Sequence, residues 1–333
     1  MSIKTLSGSI YDDLSGVFLD ADYERMVSVD LPWIKSTKKT FDAQGNTIDE
    51  RESQYGEVMF IGDFHLGHSA HSGNPLNAHL LFIKERPHIR VGLMGDLIEY
   101  AATTPYPADE IMNVDQQIDL LVKKLKPIKD QIVFMLWGNH EERHARNTKS
   151  NKFLDYLALE IEVPESCYVG KPQRGVYVSF KAGDKIYSVY AHHSRTNARI
   201  NRMNQLQRAG SQNIFSIIAQ GHTHELAWIP RTFRQIEIVD GRTMNVVRRQ
   251  YLLATGCFMK DPAYAEAGGY PYTVVGAPVV RFYADRNKLD EYDLSMDYKD
   301  YLNRGGVPFS ADTGITDWKG LGAEKRVIEK CLL

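Results

Sequence analysis

Five short apolar runs in this chain each lead into side chains that bind metal ions, and this pattern constrains the fold more than any other feature. The runs are Val58 to Ile61, Val91 to Met94, Ile132 to Trp137, Ile186 to Tyr190 and Ile214 to Ala219. They are followed in turn by Asp63 and His65, by Asp96, by Asn139 and His140, by His192, and by His222 and His224. Uncharged runs of this length, rich in β-branched and aromatic residues, read as buried strands. Ligands at the carboxyl ends of such strands converge on one edge of a sheet, where open α/β folds place their sites. Eight hard or borderline donors at one edge suit two divalent cations rather than one, which predicts a dinuclear metal-dependent hydrolase.

Composition permits this and excludes several other classes. With 43% hydrophobic and 25% charged residues, a chain of 333 residues buries a sizeable core unaided. A net charge of −2 speaks against a wholesale nucleic-acid binder and against a membrane-surface protein. Cys167, Cys257 and Cys331 lack CxxC spacing, so neither a zinc finger nor a disulfide framework is expected, and a reducing compartment is. The start, Met-Ser-Ile-Lys followed by Asp12, Asp13 and Asp20, does not read as a signal peptide. No apolar stretch approaches the roughly 20 residues that span a bilayer. The expectation is a cytoplasmic protein.

Organisation along the chain follows from the same reading. Residues 1–55 carry no ligand block and are expected as an extension packed on the core or on a partner. Residues 56–290 form the main domain and 291–333 a tail. Strands alternate with helical segments at Leu76–Arg86, Ala108–Leu125, Lys152–Glu160 and Thr196–Arg208, as in a layered α/β fold. Beyond 225 the chain turns β-rich: a hairpin spans Gln235 to Val247 around Asp240-Gly241, with further strands at 251–257 and 278–283. Two sheets between helices are expected.

The blocks have chemistry as well as order. Alternation along a strand end puts Asp63 and His65 on one side, able to grip one ion. Asp96 offers two oxygens to two cations, Asn139 a neutral oxygen, and His222 and His224 two imidazoles to adjacent ions. The succession GDFHLGH, GDLIEY, GNHEER, AHHS and GHTHE resembles the calcineurin-like metallophosphoesterase superfamily over roughly residues 56–260. The resemblance implies a four-layer αββα sandwich with two metal ions, manganese, iron, zinc or nickel. It assigns Asp63, His65 and His224 to one ion, and Asn139, His192 and His222 to the other, with Asp96 bridging. It makes His140 the catalytic histidine beside a phosphate ester attacked by a metal-bridging hydroxide. The family has His-Gly in the fourth block where this chain has His192-His193; strand position favours His192 over His193.

Substrate class rests on weaker signals. Residues 185–224 contain no acid, and Arg195, Arg199 and Arg202 fall on one helical face beside the fourth block, suited to guiding a phosphate backbone. Arg143 and Arg146 follow the His140 block and can extend the same rim. The alternative is a solvated face paired with acids elsewhere. Trp228, Phe233, Tyr264, Tyr270 and Tyr272 offer bases a stacking surface or pack between strands. The Asp-x-His-Leu-Gly start resembles repair-exonuclease-type members, and Asp261-Pro-Ala-Tyr-Ala-Glu resembles members carried by bacteriophages. The leading expectation is a nuclease acting on DNA. The alternatives are a small-molecule phosphodiesterase or phosphatase, and a phage-associated structural protein on the same scaffold.

Overall fold

The last four residues of β3 (Thr47–Ile61) dictate the layering. Val58 and Phe60 face one way, Met59 and Ile61 the other, and all four are fully buried. Successive strand side chains point to opposite faces, so this sheet must be covered on both sides. A computed structural model shows how, and describes residues 26–41, 47–100, 109–194, 203–212, 214–239, 241–260, 275–286 and 288–293.

Strand β3 is central in a seven-stranded sheet of order β13-β12-β3-β4-β5-β6, with β2 (Trp33–Phe41) also paired to β3. Its neighbours are β4 (Arg90–Leu93), β5 (Ile132–Met135), β6 (Tyr168–Val169), β12 (Pro278–Tyr283) and β13 (Leu289–Asp293). The second sheet has the order β1-β7-β8-β9-β11-β10. It comprises β1 (Met26–Asp30), β7 (Val176–Ala182), β8 (Lys185–His193), β9 (Ile217–Gly221), β10 (Leu226–Val239) and β11 (Arg242–Thr255). Val58, Phe60 and Phe134 meet Val178, Phe180, Val189 and Ala219 between the sheets.

Helices cover both outer faces. Met59, Ile61, Val91 and Met135 pack against α1 (Gly73–Lys84), α2 (Val114–Leu125) and α4 (Phe153–Ile161) through Leu80, Leu121 and Leu154. On the far side, Ile218, Leu252 and Ala254 receive Leu206 of α5 (Met203–Gln212). Helix, sheet, sheet and helix are therefore stacked in the expected αββα order.

Several boundaries differ from expectation, among them the hairpin, expected at Gln235 to Val247 with a further strand at 251–257 and observed as β10 (Leu226–Val239) and β11 (Arg242–Thr255), because pairing between the two strands continues unbroken. Helix α2 starts at Val114 rather than 108, because Asn113 caps it: its Oδ1 accepts from Gln116 N while Gln116 Oε1 accepts from Asn113 N. Helix α3 (Asn139–Thr148) is not expected from the sequence, since NHEERHARNT has no apolar stripe. Residues 26–55, expected as an extension, supply β1 and β2 and the first part of β3, so the segment is woven into both sheets. Residues 294–333 of the expected tail lie outside the described residues.

Strands β3, β4, β5 and β6 are parallel, as are β8, β9 and β11, so each set ends on one edge. Away from that edge two hairpins outrun their sheets. β9 pairs with β11 only at Tyr251–Ala254, whereas the β10–β11 pairing continues to Val239↔Arg242. Likewise β2 and β3 pair out to Phe41↔Thr47, beyond the reach of β4 and β12. Among the described residues, no helix is long and apolar enough to cross a membrane.

His79 on α1 ties this helix to the core: its Nδ1 donates to Pro75 O at 2.8 Å and its Nε2 accepts from Ala277 N at 3.2 Å. Burial pushes its imidazole down to about 4 from 6.5. With the folded value depressed, its contribution is complete above pH 6.5 and is lost as pH falls through 4, on the order of 3 kcal/mol. Urea unfolding of His79→Leu across pH 4–7 is expected to show a flatter acid limb than the parent, beneath a lower plateau.

Candidate metal centre

The backbone at the strand ends is held in a conformation that L residues rarely adopt. Asp63, His65, Asp96, His222 and His224 have φ of 50°, 48°, 49°, 81° and 57°, five of the nine non-glycine residues with positive φ among those described. Each such residue costs on the order of 1–3 kcal/mol and persists only where its surroundings enforce it. Here they do. Asp63 N donates to Gly95 O at 2.8 Å and His65 N to Asp96 O at 3.0 Å. The Asp63 carboxylate accepts His222 N at 3.0 and 3.1 Å, joining the two sheets.

The loops after β4 and β5 are gripped by one side chain that the sequence does not single out. Glu141, fully buried, accepts from Leu97 N at 2.6 Å and Ile98 N at 3.2 Å on one oxygen. Its other oxygen accepts from Asp96 N at 2.9 Å and Gly138 N at 2.8 Å. Burial and the neighbouring Asp96 carboxylate push Glu141 up to about 7. The loops approach so closely that a Cβ on Gly138 would collide with Asp96.

These loops deliver two clusters around Asp96. In one, Asp63, His65 and His224 bring donor atoms within 4.8 Å of one another; in the other, Asp96, His193 and His222 do. His65 Nε2 lies 3.1 Å from His224 Nε2, and His224 Nε2 lies 3.4 Å from Asp63 Oδ1. Asp96 Oδ2 has His193 Nε2 at 3.1 Å, His222 Nδ1 at 3.8 Å and His65 Nε2 at 3.9 Å around it. That buried oxygen accepts no hydrogen bond of good geometry. Asn139 Oδ1 stands 3.1 Å from His193 Nε2. His140 is anchored through its backbone, N donating to Asp96 Oδ1 at 2.9 Å, and through Nδ1 against the carbonyl oxygen of Glu99.

Electrostatics fit cations. Burial lowers His65 and His193, but Glu99 acting on the first and Asp96 on the second outweigh it, raising them to about 9 and about 10. Burial would raise Asp96, yet His193 and His140 hold it well below the ordinary carboxylate range. Positive charge is thus what these carboxylates demand, and in its absence protons on the imidazoles supply it. Two buried carboxylates, a neutral amide oxygen and four imidazoles are the donors that divalent transition metals prefer, and metal binding would displace those protons.

Seven of the eight donors expected at this edge are brought together; the exception is in the fourth block. His192, expected as the ligand, stacks on Tyr190 with ring centroids 5.1 Å apart, and His193 occupies the cluster instead. Strand parity is the reason: Tyr187, Val189 and Ala191 face the inter-sheet core, so His193 continues that face and His192 the opposite one. His193 Nδ1 contacts Met94 O at 2.8 Å, which leaves Nε2 for the cluster.

Two further supports go beyond the sequence expectation. Glu99 Oε2 lies 2.8 Å from His65 Nδ1, and that imidazole overrides the effect of burial to bring Glu99 down to about 2. Gln117 on α2 in turn accepts from Glu99 N and Tyr100 N at 3.0 and 3.2 Å. Of the expected rim, Arg195, Arg199 and Arg202 lie outside the described residues, as do Tyr264, Tyr270, Tyr272 and the segment from Asp261. Arg143 donates to Tyr100 O at 3.1 Å, and Arg146 lines a separate cleft of about 550 Å³ with Lys171 and Arg174. Trp228 stacks on Tyr251 at 4.4 Å, packed between strands.

The calcineurin-like phosphoesterase family matches residues 56–249, the span holding every member of both clusters. This chain belongs to that family. It is a metal-dependent phosphoesterase. Among solved structures, this phosphoesterase is similar to Vps29 from Entamoeba histolytica complexed with zinc, at 14% identity over 71% of this chain and 98% of that one, with a TM-score of 0.35. It is similar also to a metallophosphoesterase from Sphaerobacter thermophilus, at 15% identity over 76% and 95%, with a TM-score of 0.31. A putative 5'-nucleotidase from Staphylococcus aureus matches at 11% identity over 72% of this chain and 53% of that one, with a TM-score of 0.33. No curated protein matches the chain.

Replacing Glu141 by Gln removes one of the two accepting oxygens and leaves a pair of backbone N–H groups facing an amide. Each buried unmet donor costs about 1–3 kcal/mol. The phosphoesterase carrying Glu141→Gln is therefore expected to lose about 2–5 kcal/mol in urea unfolding at pH 7.5.

Proposed function

We propose that this phosphoesterase hydrolyses phosphodiester bonds in nucleic acid, DNA foremost, at a centre of two divalent cations, with manganese the metal of first choice. The observation that carries the reading is the convergence of His193, His222 and His65 nitrogens on one Asp96 oxygen, with Asp63, His224 and Asn139 completing both sides. On this reading Asp63, His65 and His224 hold one ion, Asn139, His193 and His222 the other, and Asp96 stands between them. When bound, the cations supply the charge that polarises a phosphoryl oxygen and acidifies water near neutral pH.

The chain's own residues then have separate tasks. His140 is the catalytic residue: with Nδ1 held against Glu99 O, its Nε2 is the atom left to meet the leaving oxygen. Burial drives this imidazole down to about 4, and on this reading the negative charge of a bound phosphate would oppose that shift. General-acid help of this kind contributes about 10²–10⁴ in rate. Glu99 orients His65, and Glu141 fixes both loops. The acid-free stretch 185–224, with Lys185 and Arg208, supports a polyanionic substrate. The buried thiol of Cys167 supports a reducing, cytoplasmic setting.

The test is manganese-supplemented turnover of bis-p-nitrophenyl phosphate, p-nitrophenyl phosphate and labelled single- and double-stranded DNA. The expected result is cleavage of DNA and of the chromogenic diester, reduced at least 100-fold in His140→Ala with bound metal unchanged. Turnover of the chromogenic esters with intact DNA would replace the nuclease reading with a small phosphate ester. Retained biological function in His140→Ala would indicate a scaffold.

Metal counting by mass spectrometry separates the adjacent histidines. His193→Ala is expected to bind one ion fewer than the parent, and His192→Ala the same number. The reverse pattern would return the ligand to His192.

A further inference from the structure

The β10–β11 hairpin is longer than the sheet needs. Beyond Tyr251 no third strand pairs with β11 among the described residues, so 231–239 and 242–250 run out as a two-stranded ribbon about 27 Å long. Isolated ribbons of two strands are marginal in water, and this one carries aliphatic side chains where a solvated ribbon would be polar. Ile236, Ile238 and Val247 are 75%, 69% and 60% exposed.

Register places these three side chains on one face. Residues directly opposite share a face, so Arg234↔Val247, Ile236↔Asn245, Ile238↔Thr243 and Thr232↔Arg249 line up together. That face holds three aliphatics, two exposed arginines and small polar residues, and no acid. Across 231–249 the sequence has five arginines, no lysine and two acids, a net +3 in a chain whose total is −2. Two like copies of this face would repel each other, whereas a polyanion complements it.

We propose that the β10–β11 ribbon is a duplex-DNA-binding arm, its Ile236/Ile238/Val247 face lying in the minor groove with Arg234 and Arg249 on the flanking phosphates. This rests on the nucleic-acid reading of the active site and adds to it a second point of attachment remote from the metals. A β-ribbon fits a DNA groove, and aliphatic wedges between base steps with arginines alongside are the chemistry of minor-groove binding. The wedges account for exposed isoleucines that charge attraction alone leaves unexplained. The ribbon runs away from the metal edge: twelve residues of β11 separate its tip from Ala254, which pairs beside Gln220, about 40 Å in all. That span is close to one turn of duplex, about 34 Å, so one DNA segment can meet the tip and the metals together.

The experiment measures binding of an end-labelled 30-base-pair duplex to the full chain in EDTA, by fluorescence anisotropy from 50 to 200 mM salt. Arg234→Gln/Arg249→Gln is expected to weaken binding at least 10-fold at 100 mM salt. It should also make the plot of log K against log salt shallower by about 2, near 0.9 for each phosphate that is no longer neutralised. Ile236→Ser/Ile238→Ser is expected to abolish the change in end-to-end energy transfer that accompanies wedge insertion. Both variants should keep parental turnover of bis-p-nitrophenyl phosphate, since neither touches the metal centre. Unchanged DNA affinity and salt slope in both would overturn the arm, as would a parental dimer that the isoleucine variant converts to monomer. Arm-dependent binding without any DNA cleavage in manganese would keep the arm and sink the nuclease reading. Cleavage indifferent to the arm would do the opposite.

Discussion

The centre depends on one buried carboxylate accepting four backbone N–H groups from two loops. Glu141 stands at the start of α3, yet two of its hydrogen bonds come from Leu97 and Ile98 and a third from Asp96 itself. Without it, the loop after β4 has no reason to keep Asp96 in the left-handed conformation that turns its carboxylate toward the histidines. A carboxyl group buried this deeply is tolerated because its lone pairs are occupied, and the rigidity that results is what the neighbouring strained residues lean on. The strain at Asp63 and His65 is supported in the same manner by backbone bonds to Gly95 O and Asp96 O, and that at His222 by the Asp63 carboxylate.

Position is set one level further out. Parallel strands in each sheet end on a common edge, and packing Phe60, Phe134 and Phe180 between the sheets brings the two edges side by side. Asp63 and Asp96 then come from one sheet, His193, His222 and His224 from the other. Elements that carry no ligand complete the support: Gln117 on α2 holds the Glu99 backbone, and Glu99 holds His65.

Much of this is legible in the sequence because the chemistry leaves few choices. An apolar strand ending in Asp-x-His, Gly-Asp or Gly-Asn-His has little other use, and five in succession specify a shared edge and the αββα layers. Choosing between His192 and His193 requires parity. The run Ile186 to Tyr190 is apolar on both faces and hides it, although Val189 and Ala191 lie on the same side as His193. Helix α3 escapes because its charges mask any stripe, its start being fixed by Gly138 and Glu141 instead. Glu99 and Glu141 sit inside the GDLIEY and GNHEER blocks, but as acids among acids they carry no periodic signal. The Asp240-Gly241 turn announces a hairpin and not its length, since strand ends are set by pairing and not by composition.

Because the donor atoms straddle the two sheets, any ion shared among them joins layers that are otherwise held by interdigitated side chains and by hydrogen bonds such as those from His222 N to the Asp63 carboxylate. The centre is then a rivet through the sandwich as well as a site of chemistry. Ligands that bind only the native state stabilise it in proportion to the logarithm of their free concentration. The melting temperature of this phosphoesterase thus becomes a gauge of the metal available to it, and a chelator becomes a mild denaturant.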